Sequence, residues 1–482
     1  MSTGNLIGGS VARVFVRGVQ WTMNSTLCNI WSTLRNDSCT FCDASSSHTP
    51  WARDLNKLLG PQCGPAASWS ACCWEPLGYD GGPAYGTPCS QVCAGLMKDG
   101  HRIGMDDAYC SKSDGSSFGN CFCGPRSGEV VWSFALESSS SSSPTLSANG
   151  STLFVGSVTG SLRAVNATSG ANIWSFETPA GMGLSSPTIG PVTSSVFVGS
   201  KDRSLYAVDA HTGALQWQYG PTTSAFQASA AVSPDGSIVF VGSLGGTLSA
   251  LSSLRGEVVW KFQTHGQIFS TPAVAEDGTT VFIGSYDHHV YAVDVASGEE
   301  RWRYDAGNPI VSSPVLSVDG SMLFVGPGLS FSTAGGRLDA IDAQGGHQVW
   351  TYTHKEGPNP ASFCSPPALS ADGASLFAVA SDGTLYAVAT LNGTLKWKLL
   401  PRAVGSGVTL TPALSTAADG APSTIYVGGG DGSVRAIDAS TGTELWHYAP
   451  VNHEITSSPV LSTDGSTFYV ASDDKMLRAV SA

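Results

Sequence analysis

Residues 207–217 read AVDAHTGALQW and residues 436–446 read AIDASTGTELW, two copies of the pattern A-x-D-x-x-T-G-x-x-x-W. Asp followed by Thr and Gly is turn chemistry, because short polar side chains bond their own backbone and Gly accepts a positive φ. Working outward, AVDVASGEERW ends at Trp302, AVNATSGANIW at Trp174, AIDAQGGHQVW at Trp350, AVATLNGTLKW at Trp397 and ALSSLRGEVVW at Trp260. All seven keep the Ala, the Gly and the Trp in phase, and with Trp132 the eight tryptophans are separated by 42, 43, 43, 42, 48, 47 and 49 residues. A period of that size suits one four-stranded propeller blade. Between tryptophans the text repeats as well. A short strand (SSPTI, STPAV, SSPVL) is followed by a second (VFVGS, IVFVG, VFIGS), then a third (LYAVD, VYAVD, VRAID), then the strand that ends on Trp. Asp-Gly pairs at Asp235, Asp277, Asp319, Asp372, Asp419 and Asp464, and Asn149-Gly150, mark the first hairpins. Asp202, Asp287, Asp382, Asp431 and Asp473 mark the second. Such pairs suit tight hairpins.

The chain stops at AVSA, Ala479 to Ala482, the first four positions of an eighth motif; its missing end stands at Ser127 to Trp132, SGEVVW. The expected fold is therefore an all-β, eight-bladed propeller over residues 126–482, its last blade completed by the strand that ends at Trp132. Closure of this kind removes free sheet edges.

The rest of the composition agrees with an all-β chain. Gly is abundant at 57 of 482 residues, charged residues make up 13%, and no apolar run approaches membrane-spanning length. The formal net charge of −13 argues against nucleic acid or anionic lipid as a partner. Eleven of the twelve cysteines lie between Cys28 and Cys123, which separates a cysteine-rich module, 28–125, from the propeller and leaves 1–27 unassigned. At this density disulfides are the expected cross-links, and they imply an oxidising compartment; zinc at Cys39 and Cys42 is the competing reading. Five sequons, Asn24, Asn36, Asn149, Asn166 and Asn392, fit a secreted or lumenal protein, although residues 1–21 show no clear signal peptide.

The motif resembles the tryptophan-docking motif of quinoprotein-type propellers. That resemblance implies that Trp132, Trp174, Trp217, Trp260, Trp302, Trp350, Trp397 and Trp446 pack between blades, with the Ala leaving room for the ring. It also raises an enzyme hypothesis, because founding members are dehydrogenases that use pyrroloquinoline quinone and calcium. Those enzymes carry long pocket-building insertions and an adjacent cysteine pair within the propeller. Here the blades are nearly minimal, and the adjacent pair, Cys72-Cys73, lies in the front module. The chain is more similar to compact non-catalytic relatives, such as the eight-bladed lipoprotein that helps assemble outer-membrane barrels in Gram-negative bacteria. The expectation is a monomeric binding or scaffold propeller for a protein or small extracellular ligand, with no catalytic, cofactor or metal residues. The alternative is a quinone-dependent oxidoreductase with a reduced site.

In propellers of this strand order one face displays the second hairpins and the loops between blades. Candidate partner-binding residues there are Lys201, Arg203, Tyr286, Asp287, His288 and His289, with His265, His354, His453, the Asp473-Asp474-Lys475 run and the longer loop from Pro327 to Gly336 nearby.

Overall fold

The computed structural model describes residues 128–482 except 192–193, 329–335, 355–360, 400–409, 417–421 and 449–452, together with the backbone of six short strands before residue 124. The side chains of the eleven front-module cysteines, and Asn24 and Asn36, lie outside the described residues, as does Asp419. The chain divides into two compact units, with the division at residues 129–130. In the first, Val19–Thr22, Arg13–Val16, Gly119–Cys123 and Ala108–Lys112 form a four-stranded sheet in that order.

The second unit is a ring of eight antiparallel, four-stranded sheets. Blades 1 to 7 are consecutive hairpins; blade 2, for instance, is Thr188–Ile189, Ser195–Gly199, Leu205–Asp209 and Leu215–Tyr219. Blade 8 is built from Val460–Leu461, Thr467–Ser472, Met476–Ser481 and, as its outer strand, Val130–Ala135. In blade 2 Ala207 lies opposite Trp217 and the register slips by one residue immediately after the Ala. In blade 8 Ala479 lies opposite Trp132 with the same slip, so the two halves of the split motif meet in the register of an unbroken one. Gly128 N–H donates to Ser481 O at 2.8 Å and Ser481 N–H returns to Glu129 O at 2.9 Å, extending the clasp beyond the strand.

Burial explains the strand sequences. The second strands are buried along their length because a neighbouring blade covers each face, which is why they read as continuous apolar runs such as Ser195–Gly199. The outer strands alternate, with the Trp turned inward and its neighbours exposed. Each motif residue has a physical task. Asp209 Oδ1 accepts the backbone N–H groups of His211 and Thr212 and the Thr212 hydroxyl, closing the turn; Asp294 and Asp438 do the same with their own neighbours, and Asn166 with its own. Gly213 sits at φ +74°, where only Gly is unstrained, and a Cβ there would lie 2.7 Å from the ring of Trp174 in the preceding blade. The indole N–H of Trp174 donates to Ala210 O at 3.0 Å, and equivalent bonds run from Trp132, Trp217, Trp260, Trp302, Trp350 and Trp397 to the next blade. A large apolar area and one satisfied donor are thus delivered across every such interface.

A second set of bonds joins the blades around the inner rim. The first strands carry a hydroxyl residue just ahead of them, and its N–H donates to the hydroxyl of the next blade: Ser143 to Ser186, Ser186 to Ser229, Thr271 to Ser313, Thr411 to Ser458 and Ser458 to Ser143, at 2.9 to 3.0 Å. Blade 6 has Pro366 at this position, which has neither hydroxyl nor N–H, so both of its links are missing.

The turn carboxylates make the fold sensitive to acid. Among the described residues ten aspartates lie below their ordinary pKa, chiefly through hydrogen bonds within their own turns. Asp294, beside Arg301, and Asp319, bonded by Ser317 and Ser321, are held down to about 2. A carboxylate depressed by folding contributes stability that is complete above its unfolded value, 3.8, and is lost as pH falls toward about 2. Asp339 works the other way, because burial pushes it up despite bonds from Thr351, Arg337 and Tyr304, but it is one group against ten. The melting temperature is therefore expected to change little between pH 7 and 5 and to fall steeply from pH 4 to 2. An unchanged melting curve across the acid range would contradict this account.

Candidate functional site

The second hairpins and the loops between blades form one face of the ring; the first and third hairpins form the other. At the described tips of the second hairpins two designs occur. Blades 1, 3, 6 and 7 turn through Gly160, Gly246, Gly383 and Gly432, all at positive φ. Blades 2, 4 and 8 place Arg203 (φ +74°), His288 (φ +78°) and Lys475 (φ +67°) at the same step. A side chain in that conformation costs about 1–2 kcal/mol relative to Gly. The local sequence has glycine at this position in four blades, so three blades retain a strained, basic or imidazole residue where glycine fits.

The residues on either side of the tip follow one scheme. The middle residue points inward as a turn carboxylate and the outer two face solvent, giving Lys201 and Arg203 on blade 2, Tyr286 and His288 on blade 4, and Asp473 and Lys475 on blade 8. Asp202 accepts the Ser204 N–H and, at 2.6 Å, the Tyr206 hydroxyl, whose pKa is pushed up to about 12 by burial and this carboxylate. Asp287 accepts the Tyr291 hydroxyl at 2.9 Å and the backbone N–H groups of His265 and His289 at 2.8 and 3.1 Å. Burial alone would raise Asp287; these bonds hold it below the ordinary value. In blades 7 and 8 an Arg replaces the Tyr: Asp431 pairs with Arg435 at 2.5 Å, and Asp474 with Arg478. The blade 8 carboxylate in this position is Asp474, not its neighbour Asp473, which is the exposed member.

The six candidate residues thus separate by geometry. Tyr286, Asp287, His288 and His289 stand on one hairpin, Lys201 and Arg203 on another, and no hydrogen bond or ion pair among the described residues joins the two. Asp287 holds its turn, and His289 is half-buried with Nδ1 2.9 Å from Asp287 O. Lys201, Arg203, Tyr286 and His288 are exposed. Tyr286 lies with its ring 6.2 Å from that of Phe269. Of the nearby histidines, His265 and His453 are exposed, whereas His354 is buried with Nδ1 2.8 Å from the Tyr386 hydroxyl. In the longer loop Pro327, Gly328 and Gly336 are described and 329–335 are not. Asn149, Asn166 and Asn392 all lie on first or third hairpins, the opposite face. The special standing of Lys475 was hidden in the sequence. Only its positive φ, shared with Arg203 and His288, sets the three tips apart.

Neither face nor centre brings metal ligands together: among the described residues no three His, Cys, Asp or Glu side chains are placed to hold an ion. The innermost strands, Thr145–Leu146, Thr188–Ile189, Ala231–Val232, Ala273–Val274, Val315–Leu316, Ala368–Leu369, Ala413–Thr416 and Val460–Leu461, carry no titratable side chain. This lining does not fit a tricarboxylate quinone, which needs cationic or metal partners. The described propeller cysteine, Cys364, is buried with Sγ 3.7 Å from Gly328 O.

Known structures share this architecture. BamB from Moraxella catarrhalis is 20% identical, with a TM-score of 0.56, over 73% of this chain and 97% of that one. The computationally designed Ika8 protein is 16% identical (TM-score 0.58, 74% of this chain, 100% of that one), and the C-terminal WD40 domain of Sif2 is 14% identical (0.59, 73% and 98%). At these identities the likeness is one of fold. No curated protein matches the sequence. A family model described as outer membrane protein assembly factor BamB matches residues 123–234, 222–365 and 358–482, which together span the propeller from end to end. The chain belongs to the family of the outer membrane protein assembly factor BamB.

Proposed function

We propose that this propeller is a non-catalytic scaffold that presents its second-hairpin face to a protein partner. The observation that carries the reading is the composition of the innermost strands, where small, apolar and hydroxyl side chains replace the charged groups a quinone site requires. The family supports it as well, since its description is of an outer membrane protein assembly factor. A closed ring with solvated tips suits a scaffold, and the completed blade 8 and the exposed Lys201, Arg203, Tyr286 and His288 support that reading. The test is direct. Incubation of the purified full chain with pyrroloquinoline quinone and calcium is expected to leave the quinone absorbance unchanged and to yield no dye-linked alcohol or sugar oxidation. Calcium-dependent quinone binding with turnover of any such substrate would overturn the scaffold reading.

A further inference from the structure

The propeller carries 28 acidic and 16 basic residues between 126 and 482, yet its charge is not evenly spread. Most of the described cations are engaged. Arg163 pairs with Glu137, Arg301 with Asp294, Arg303 with Glu300, Arg337 with Asp339, Arg435 with Asp431 and Arg478 with Asp474. Lys261 lies over the Tyr219 ring and Lys396 bonds Ala374 O and Ser375. Four described cations, Lys201, Arg203, Arg255 and Lys475, make no such bond; Arg255 stands on a third hairpin of the opposite face, and the other three stand on exposed tips of the second-hairpin face.

Across blades 2 to 4 this face holds the loops 178–187, 220–230 and 264–272 and the tips 200–204, 243–247 and 285–289. They contain two carboxylates, Asp202 and Asp287, both turned inward onto Tyr206 and Tyr291. Against them stand Lys201, Arg203, His265, His288 and His289. The carboxylates at the borders are occupied, Glu177 by Ser161 and Asp305 by the Gly307 N–H. On the opposite face of the same blades lie Asp209, Asp235, Glu257, Glu276, Asp277 and Glu299. At the blade 8 end Asp473 stands beside Lys475, so the uncompensated positive charge centres on blade 2. Between the charged tips, blades 1 and 3 turn through Gly160 and Gly246, which carry no side chain and where a Cβ would meet backbone oxygens at 2.6 and 2.4 Å.

From this arrangement we infer that the second-hairpin face of blades 2 to 4 docks an acidic segment of a partner protein, its carboxylates meeting Lys201 and Arg203 and its backbone crossing the glycine tip of blade 3 toward Tyr286 and His288. The inference rests on the scaffold reading and names the chemistry of the partner. A short peptide fits better than a nucleic acid or a lipid surface, because the net charge of −13 repels an extended polyanion while two or three local cations attract a brief one. The strained conformation at Arg203 and His288 is then retained for what the side chains touch, not for the turn.

The tips also supply the test, since glycine is what the other blades use there. The probe is a fluorescein-labelled polyglutamate peptide, read by anisotropy against the full chain at low and physiological ionic strength. Wild-type protein is expected to bind with strong salt dependence. Lys201→Ser with Arg203→Gly is expected to weaken binding at least about tenfold without lowering the melting temperature, and His288→Gly to weaken it less. Arg255→Ser, on the opposite face, should change nothing. No binding by wild type, or equal binding by the blade 2 variant, overturns the inference. So does tighter binding of an oligonucleotide or of phosphatidylserine vesicles than of the peptide. None of these outcomes touches the quinone experiment, so the docking chemistry can fail while the scaffold reading stands.

Discussion

Deleting residues 127–132 is expected to abolish the cooperative melt of the propeller, whereas deleting residues 1–120 leaves it unchanged. The short deletion removes the strand positions that pair with the last strand of blade 8, and with them Trp132. The Trp132 ring packs 5.9 Å from Tyr469 and donates to Ala167 O at 3.0 Å, so its loss alone costs about 3–5 kcal/mol. The lost ladder and the exposed edge of Met476–Ser481 add several more at about 1 kcal/mol per bond. The sum is comparable to the whole stability of an ordinary domain, about 5–15 kcal/mol. Thermal melts and limited proteolysis of the two truncations measure it. Equal stability would refute the clasp.

Two glycines with the same backbone conformation separate turn strain from blade packing. Gly256 has φ +67° and Gly320 has φ +69°. A Cβ at Gly320 meets nothing within 4 Å, while one at Gly256 would lie 2.5 Å from Cε3 of Trp217. Gly320→Ala is expected to lose about 1–2 kcal/mol, the cost of the conformation alone. Gly256→Ala pays that and also displaces an indole that is nine-tenths buried and bonded to Ser253 O at 2.9 Å, for a total of about 3–5 kcal/mol. Urea unfolding of both variants gives the difference. If the two lose the same amount, the glycine of the motif serves its turn and not the neighbouring blade.

Much of the fold was legible because it is written eight times. The in-phase Ala, Gly and Trp implied the outer strands, and the two halves of one motif, at Ala479 and Trp132, suggested the closure that their pairing displays. The partner of each motif glycine was not legible. Gly213 reads as a turn residue, and its contact with Trp174 runs between blades that the motif spacing alone does not orient. The site was harder still. Asp287 and His288 are adjacent letters of similar polarity, yet the backbone turns one inward onto Tyr291 and the other out. Lys201-Asp202-Arg203 contains no glycine, so nothing in the letters announces a left-handed step at Arg203.

The hydroxyl belt of the inner rim has a further consequence. Its longest unbroken run is Thr411, Ser458, Ser143, Ser186 and Ser229, from blade 7 through blade 8 to blade 3. That run passes over blade 8, the one blade in which the peptide chain itself is interrupted. Ser458 N–H to Ser143, together with Thr456 Oγ1 to Ser140 O at 2.6 Å and the Tyr469 hydroxyl to Ala167 O at 3.2 Å, ties the C-terminal strands to blade 1 without using the outer strand. The gaps, at Pro366 and between Ser229 and Thr271, fall where covalent continuity is intact. Stitching and chain thus take turns: each is complete where the other is broken. At blade 8 the ring is therefore closed twice, by the outer strand at its circumference and by side-chain bonds nearer its hub.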